Sequence, residues 1–172
     1  SGGKGIMGPQ SSGLLFGRKD LIEAAALSGN PYHAIGRSAK VCREEMVGLM
    51  VALERYVARD HEADQARWRQ QAEYVASAVS ALNLPGVKVS VVFDEDEDQL
   101  PEAHIFIREK VFGASADEVR ERIENGEPPI ATGLPVPRTV IINPHMLQDG
   151  ETEIVARRLV EVLTQVRQPA AV

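Results

Sequence analysis

One lysine stands among five glycines in the opening thirteen residues, Ser1-Gly2-Gly3-Lys4-Gly5-Ile6-Met7-Gly8-Pro9-Gln10-Ser11-Ser12-Gly13. Glycine carries no side chain to hold the backbone off a ligand and adopts positive φ at little cost. A lysine on such a loop is placed to attack a carbonyl carbon, provided that the amine sheds its proton, which burial or neighbouring cations favour. The competing reading from the residues alone is a solvated loop lysine. A P-loop is excluded, because Gly5 follows Lys4 and the G-x-x-x-x-G-K-[ST] spacing is not met.

A second group of functional side chains follows in Asn30-Pro31-Tyr32-His33-Ala34-Ile35-Gly36-Arg37 and at Lys40. Arg37 and Lys40 are fixed cations that can hold a carboxylate or phosphate, the arginine through two parallel bonds. His33 can donate a hydrogen bond or move a proton near neutral pH. Their plainer readings are solvated charges near the first turn of a helix and a packed or exposed loop histidine. Asp94 to Asp98 is acidic but lacks the spaced ligands and turn glycine of an EF-hand, so it reads as a solvated connection. Cys42 falls on an apolar stripe and reads as packing. His61, His104 and His145 show no paired zinc spacing, and no metal site is expected. Ser1 allows a minor alternative, an N-terminal nucleophile hydrolase whose α-amine serves as base.

The elements that must carry these groups are legible in part. Leu14-Leu15-Phe16, closed by Gly17, reads as a buried strand, and Arg18 to Leu27 as a short helix ended by Ser28-Gly29. From Ser38, Cys42, Met46, Leu49, Leu53 and Tyr56 recur at spacings of four and three, one apolar stripe on a long helix. Trp68, Ala72, Val75, Val79 and Leu82 form a second stripe, stopped by Leu84-Pro85-Gly86. Val87 to Phe93 alternates as a strand, Ala103 to Val111 offers a second, and Ile130 with Arg138 to Ile142 a third. Ser115-Ala116-Asp117-Glu118 is a capping box opening a helix to about Asn125, and Glu151 to Val166 makes the last helix, with Ile154, Val155, Leu159, Val162 and Leu163 on its buried face. Residues 168–172 are expected to fray. The expected organisation is residues 1–37 as the remnant of one domain, 38–85 as connecting helices, and 86–172 as a small two-layer α/β domain.

Composition narrows the classes of function. With 25 acidic against 19 basic residues and a net charge of −6, the 172-residue chain offers no broad basic surface for nucleic acid. A single cysteine rules out an intrachain disulfide framework and fits a reducing, cytoplasmic setting. No apolar run approaches the ~20 residues of a membrane span. The chain opens on Ser1 in the middle of a pattern, as a fragment would.

Ser1-Gly2-Gly3-Lys4-Gly5-x-x-Gly8-Pro9-Gln10-x-x-Gly13 followed by Gly17-Arg18-Lys19-Asp20-Leu21-Ile22 resembles the cofactor-lysine segment of the fold-type I pyridoxal-phosphate enzymes. More narrowly it is similar to the group containing selenocysteine synthase and D-glucosaminate-6-phosphate ammonia-lyase. His33-Ala34-Ile35-Gly36-Arg37-Ser38-Ala39-Lys40-Val41 with Glu44-Glu45-Met46-Val47-Gly48-Leu49 is a second matching block at agreeing spacing. Asn143-Pro144 to Gly150-Glu151, before Ala156-Arg157-Arg158-Leu159, resembles the family's closing strand and helix.

The resemblance implies the C-terminal part of a fold-type I, pyridoxal-phosphate-dependent transferase-like fold of the α/β class, with residues 1–37 the end of its cofactor-binding large domain. It makes Lys4 the internal-aldimine lysine, with Gly2, Gly3, Gly5 and Gly8 letting the backbone pass close to cofactor or a neighbouring subunit. Arg37, His33 and Lys40 become substrate-binding candidates, pyridoxal 5'-phosphate the cofactor, and a homodimer or higher oligomer the expected assembly. The part of the family fold carrying the cofactor-stacking group and much of the phosphate site precedes the lysine. Where relatives often place a substrate-binding arginine, this chain reads Pro128-Pro129-Ile130-Ala131-Thr132-Gly133, with Arg138 nearby but not at the matching position.

The implied activity is a lyase eliminating ammonia or a β-group from an amino acid or amino sugar acid. The alternatives are a selenium transferase-like or aminotransferase-like enzyme of the same type, and a non-catalytic dimerisation or interaction module.

Overall fold

A computed structural model describes residues 1–93 and 100–167, so the acidic stretch Asp94–Asp98 and the expected frayed end at 168–172 lie outside the described residues. The chain divides at Asp60 into two compact units, Ser1–Asp60 and His61–Val172.

In the first unit the glycine loop of residues 1–13 precedes helix α1 (Lys19–Leu27), a 3-10 turn (Ile35–Ala39) and helix α2 (Arg43–Ala58). Helix α1 has Asp20 in its first turn and ends at Ser28, as its sequence signals require. Leu14-Leu15-Phe16 is not a strand. A strand needs a neighbour to satisfy its N–H and C=O groups, every described strand lies in the second unit, and Leu15 and Phe16 are 71% and 85% exposed. The apolar stripe expected on α2 is likewise mostly bare. Leu49 is buried, Leu53 is half-buried, and Met46 and Tyr56 are exposed. Cys42 is not packing: it is the exposed N-cap of α2, where its N–H donates to the Glu45 carboxylate at 3.1 Å.

The second unit opens with helix α3 (His61–Ser80), whose stripe Trp68, Ala72, Val75 and Val79 is buried throughout. The strands β1 (Val87–Val92), β2 (Glu102–Ile107) and β3 (Thr139–Ile142) form an antiparallel sheet in that order, with Val89 opposite Ile105 and Ile105 opposite Val140. Strand β2 is shorter than its sequence suggested. Alternation stops at Ile107, and the chain turns into a single helical turn, α4 (Glu109–Phe112), ended by Gly113 at φ 97°. Helix α5 (Ala116–Glu124) begins at the expected box, the Ser115 Oγ accepting from the Glu118 N–H at 3.1 Å. Ile130 is outside any strand and packs partly against the core. A 3-10 turn (Pro144–Met146) leads to helix α6 (Glu151–Arg167).

Period-two burial on β2, with Ala103, Ile105 and Ile107 fully buried, presents one sheet face to α3, α5 and α6. Val119 and Ile123 of α5 and Val155, Leu159, Val162 and Leu163 of α6 complete that core. Ile154, expected with them, is half-buried. Arg120 crosses from α5 to β3, donating to the Thr139 carbonyl at 3.0 Å and pairing with Asp117. Among the described residues no helix is long and apolar enough to cross a membrane.

Candidate functional site

The geometry around Lys4 is set by how the glycine loop lies on α2. The Gly2 N–H donates to the Ser12 carbonyl at 2.8 Å, closing the loop, and the Gly8 N–H donates to the Gly2 carbonyl at 2.7 Å. Within that frame the Met7 N–H reaches the Lys4 carbonyl at 2.7 Å, with Met7 at φ 57°, so Lys4 begins a tight turn.

Loop and helix run in opposite directions. Ser11 helps hold the Glu45 carboxyl, Pro9 lies on Gly48, Gly8 on Leu49 and Ala52, and the Met7 sulfur contacts Arg59 at 3.8 Å. A Cβ on Gly8 would stand 3.2 Å from the Ala52 Cβ, and one on Gly2 would meet Ser12 Oγ and lie 2.9 Å from Leu49 Cδ1. At Gly3 a Cβ would stand 2.6 Å from the Gln10 Cα. Gly2, Gly3 and Gly8 therefore make room for the chain's own atoms. A Cβ on Gly5 would meet nothing within 4 Å, so open space adjoins Lys4 on its C-terminal side.

Lys4 is exposed, and among the described residues its side chain has no hydrogen-bond or ion-pair partner. The same holds for His33, Arg37 and Lys40. By contrast, Arg18 pairs with Asp20 at 2.7 Å and Lys19 with Glu23 at 3.8 Å in the same unit. Arg37 lies in the 3-10 turn Ile35–Ala39, and Lys40 follows it in extended backbone. That segment is tied to the end of α1 by the Gly36 N–H, which donates to the Ser28 carbonyl at 2.8 Å. No bond brings Lys4 together with His33, Arg37 or Lys40 among the described residues; the loop and the cationic segment are held by different helices.

The first turn of α2 has its own electrostatics. The Cys42 side chain, its N–H and the Ser11 hydroxyl hold the Glu45 carboxyl below its ordinary value. For the Cys42 thiol the leading influence is the Glu45 backbone, which lowers its pKa, but the Glu45 and Glu44 carboxylates and desolvation together raise it. Cys42 is thus a poor thiolate and a helix cap.

Sequence reasoning overlooked the seat that α2 provides for the loop. Its signal was present: Gly48 and Ala52 are small residues one turn apart on one helix face, the spacing that admits another backbone. In the second unit a cleft of about 420 Å³ is lined by Pro128, Pro129, Thr132, Asn143, Glu151 and Ile154 among others, without an arginine. Its Thr132 hydroxyl donates to Glu124 at 2.6 Å and Asn143 to Glu102 at 2.9 Å. Among the described residues no group of three His, Cys, Asp or Glu side chains could hold a metal ion.

Comparison with known proteins bears on this arrangement. A D-glucosaminate-6-phosphate ammonia lyase of Salmonella typhimurium (strain 14028s / SGSC 2262) is 29% identical over 164 residues, 94% of this chain and 42% of that protein. A solved structure of D-glucosaminate-6-phosphate ammonia-lyase superposes with a TM-score of 0.69 at 26% identity, covering 98% of this chain and 43% of that one. The chain is related to the C-terminal portion of this ammonia lyase. A 5'-C-glycyluridine monooxygenase-decarboxylase from Streptomyces sp is 28% identical over 165 residues, 94% of this chain and 40% of that protein. No family model matches the sequence. The chain thus spans about two fifths of the length of these relatives, and its mixed α/β architecture with a small antiparallel sheet is that of the matching part of the ammonia lyase fold.

Proposed function

We propose that this chain is the C-terminal portion of a pyridoxal-phosphate-dependent lyase that removes ammonia or a β-group from an amino sugar acid or amino acid, with Lys4 as its reactive amine. The observation that carries this reading is the likeness to the ammonia lyase over 94% of the chain. The placement of Lys4 on a turn whose flanking loop is fastened to α2, beside the open space at Gly5, leaves its amine within reach of a carbonyl compound. Of the groups such a cofactor needs, Lys4 fits its aldehyde carbon, which requires a free amine and an unobstructed approach.

Pyridoxal phosphate, when bound, supplies the electron sink that stabilises negative charge beside the substrate nitrogen. The chain's own part is to hold Nζ of Lys4 at the end of a fastened loop and to move a proton through that atom once it is released. Arg37 and Lys40, without internal partners, hold an anionic substrate group, and His33 donates a hydrogen bond at its edge. Assembly as a homodimer or larger oligomer and a cytoplasmic setting complete the proposal. The relative named as a monooxygenase-decarboxylase favours a second reading, in which the same lysine serves oxidative decarboxylation of an amino acid.

The test is ammonia release and oxygen consumption by the full-length protein supplied with pyridoxal phosphate and D-glucosaminate 6-phosphate, beside its Lys4→Ala variant. Ammonia release lost in the variant supports the lyase. Oxygen uptake with an amino acid substrate supports the second reading, and neither activity overturns both.

A further inference from the structure

The seat under the Lys4 loop is built of small residues where a helix would be stronger without them. Gly48 lies inside α2, a position at which glycine weakens a helix relative to alanine. No turn requires it, because its neighbours continue the helix on both sides. A Cβ there would stand 2.8 Å from Pro9 Cγ and 3.4 Å from Pro9 Cδ. A proline ring cannot swing away as the end of a leucine can, and Pro9 is fixed in place by the Ser12 hydroxyl, which donates to its carbonyl at 2.6 Å. Four residues on, Ala52 faces Gly8 with similarly little space.

We infer that Gly48, with Ala52, is a positioning residue for Lys4: it keeps one face of α2 bare so that Pro9 and Gly8 can lie on it, and so fixes the turn that begins at Lys4. This inference rests on the reading of Lys4 as the reactive amine, but the seat itself is tested without the cofactor. A merely structural glycine and a positioning glycine predict opposite outcomes. Gly48→Ala strengthens α2 by ordinary helix propensity, yet pushes Pro9 off the helix and frees the loop. Pro9→Ala removes Cγ and Cδ as obstacles and so rescues Gly48→Ala.

The experiment is amide hydrogen exchange on the chain, comparing wild type, Gly48→Ala, Pro9→Ala and the double variant. Expected in Gly48→Ala is a roughly tenfold loss of protection at the Gly2 and Gly8 amides with equal or greater protection within α2, and return of the Gly2 and Gly8 values in the double variant. Ala52→Leu, which keeps a good helix former in place, is expected to release Gly8 in the same way. Unchanged protection at Gly2 and Gly8 in Gly48→Ala, or failure of Pro9→Ala to restore it, overturns the inference. Borohydride-trapped pyridoxyl labelling at Lys4, run in parallel, separates the two claims. Labelling that falls in Gly48→Ala and recovers with Pro9→Ala supports both, whereas exchange that changes as expected without any Lys4 labelling in wild type leaves the seat standing and removes the reading of Lys4.

Discussion

The two units of the chain bury their side chains very differently. In His61–Val172 the described strands β1, β2 and β3 and helices α3, α5 and α6 enclose a continuous core, with Ile105, Ile107, Ile123, Leu159 and Leu163 all fully buried. In Ser1–Asp60 Leu49 is the buried large apolar side chain, while Phe16 and Ile35 are 85% and 94% exposed. All the residues proposed to do chemistry, Lys4, His33, Arg37 and Lys40, belong to the thinly packed first unit, Ser1–Asp60. The difference teaches that stability and chemistry are separable here: core substitutions in one unit change the folding equilibrium, while substitutions in the other change what the surface can do.

The largest effect should come from the core. Ile105→Ala or Leu159→Ala is expected to lower stability by about 2–5 kcal/mol, from lost burial plus the cavity left behind. Phe16→Ala or Ile35→Ala should stay within about 0.5 kcal/mol, since these side chains are exposed already. Urea unfolding followed by fluorescence of the chain's single tryptophan, Trp68, which is buried on α3, reads the core unit directly. Amide protection in α1 and α2 reads the first unit, and a large loss of it in Phe16→Ala would break the comparison by showing that this unit has a core of its own.

Arg120→Ala sharpens it within the core unit. The buried guanidinium donates to the Thr139 carbonyl, and removing it strands that acceptor at a cost of about 1–3 kcal/mol. Asp117, its exposed ion-pair partner, should contribute far less, and Asp117→Ala beside Arg120→Ala in the same unfolding assay checks the ranking. Ser115→Ala, which removes the N-cap of α5, is expected to cost about 1 kcal/mol by the same measurement.

The smallest effect lies at the first turn of α2. Because the Glu45 carboxylate contributes to raising the Cys42 thiol, Glu45→Gln should speed alkylation of Cys42 at mildly alkaline pH. The Glu45 carboxyl, in turn, is lowered on folding. Its stabilising contribution is present above the unfolded-state value and fades as pH falls through the depressed folded value. The protection of the amides at the first turn of α2, taken relative to the intrinsic exchange rate at each pH, should therefore fall on acidification below the ordinary carboxylate range, and not in Glu45→Gln.

Where the sequence was legible, local signals and burial agreed. The Trp68 to Val79 stripe, the Ser115 capping box and the alternation of β1 and β2 each specify an element whose apolar face finds a partner within the same unit. Leu14–Phe16 and the Cys42 to Tyr56 stripe carry equally good apolar patterns, but periodicity states which face is apolar and not what covers it. In the described residues most of those side chains are uncovered. The lysine loop was visible from its glycines, whereas the reason for Gly2, Gly3 and Gly8 was not, because their missing side chains make room for Ser12, Gln10 and α2, contacts that only the folded chain brings together.

The central claim is that Lys4 is the amine that takes the cofactor. The direct measurement is borohydride reduction of the chain after incubation with pyridoxal phosphate, followed by peptide mapping, in wild type and Lys4→Ala. One dominant label at Lys4 is expected, lost in the variant while the other lysines keep their background level. Even labelling across Lys19, Lys40, Lys88 and Lys110, unchanged by Lys4→Ala, would contradict it.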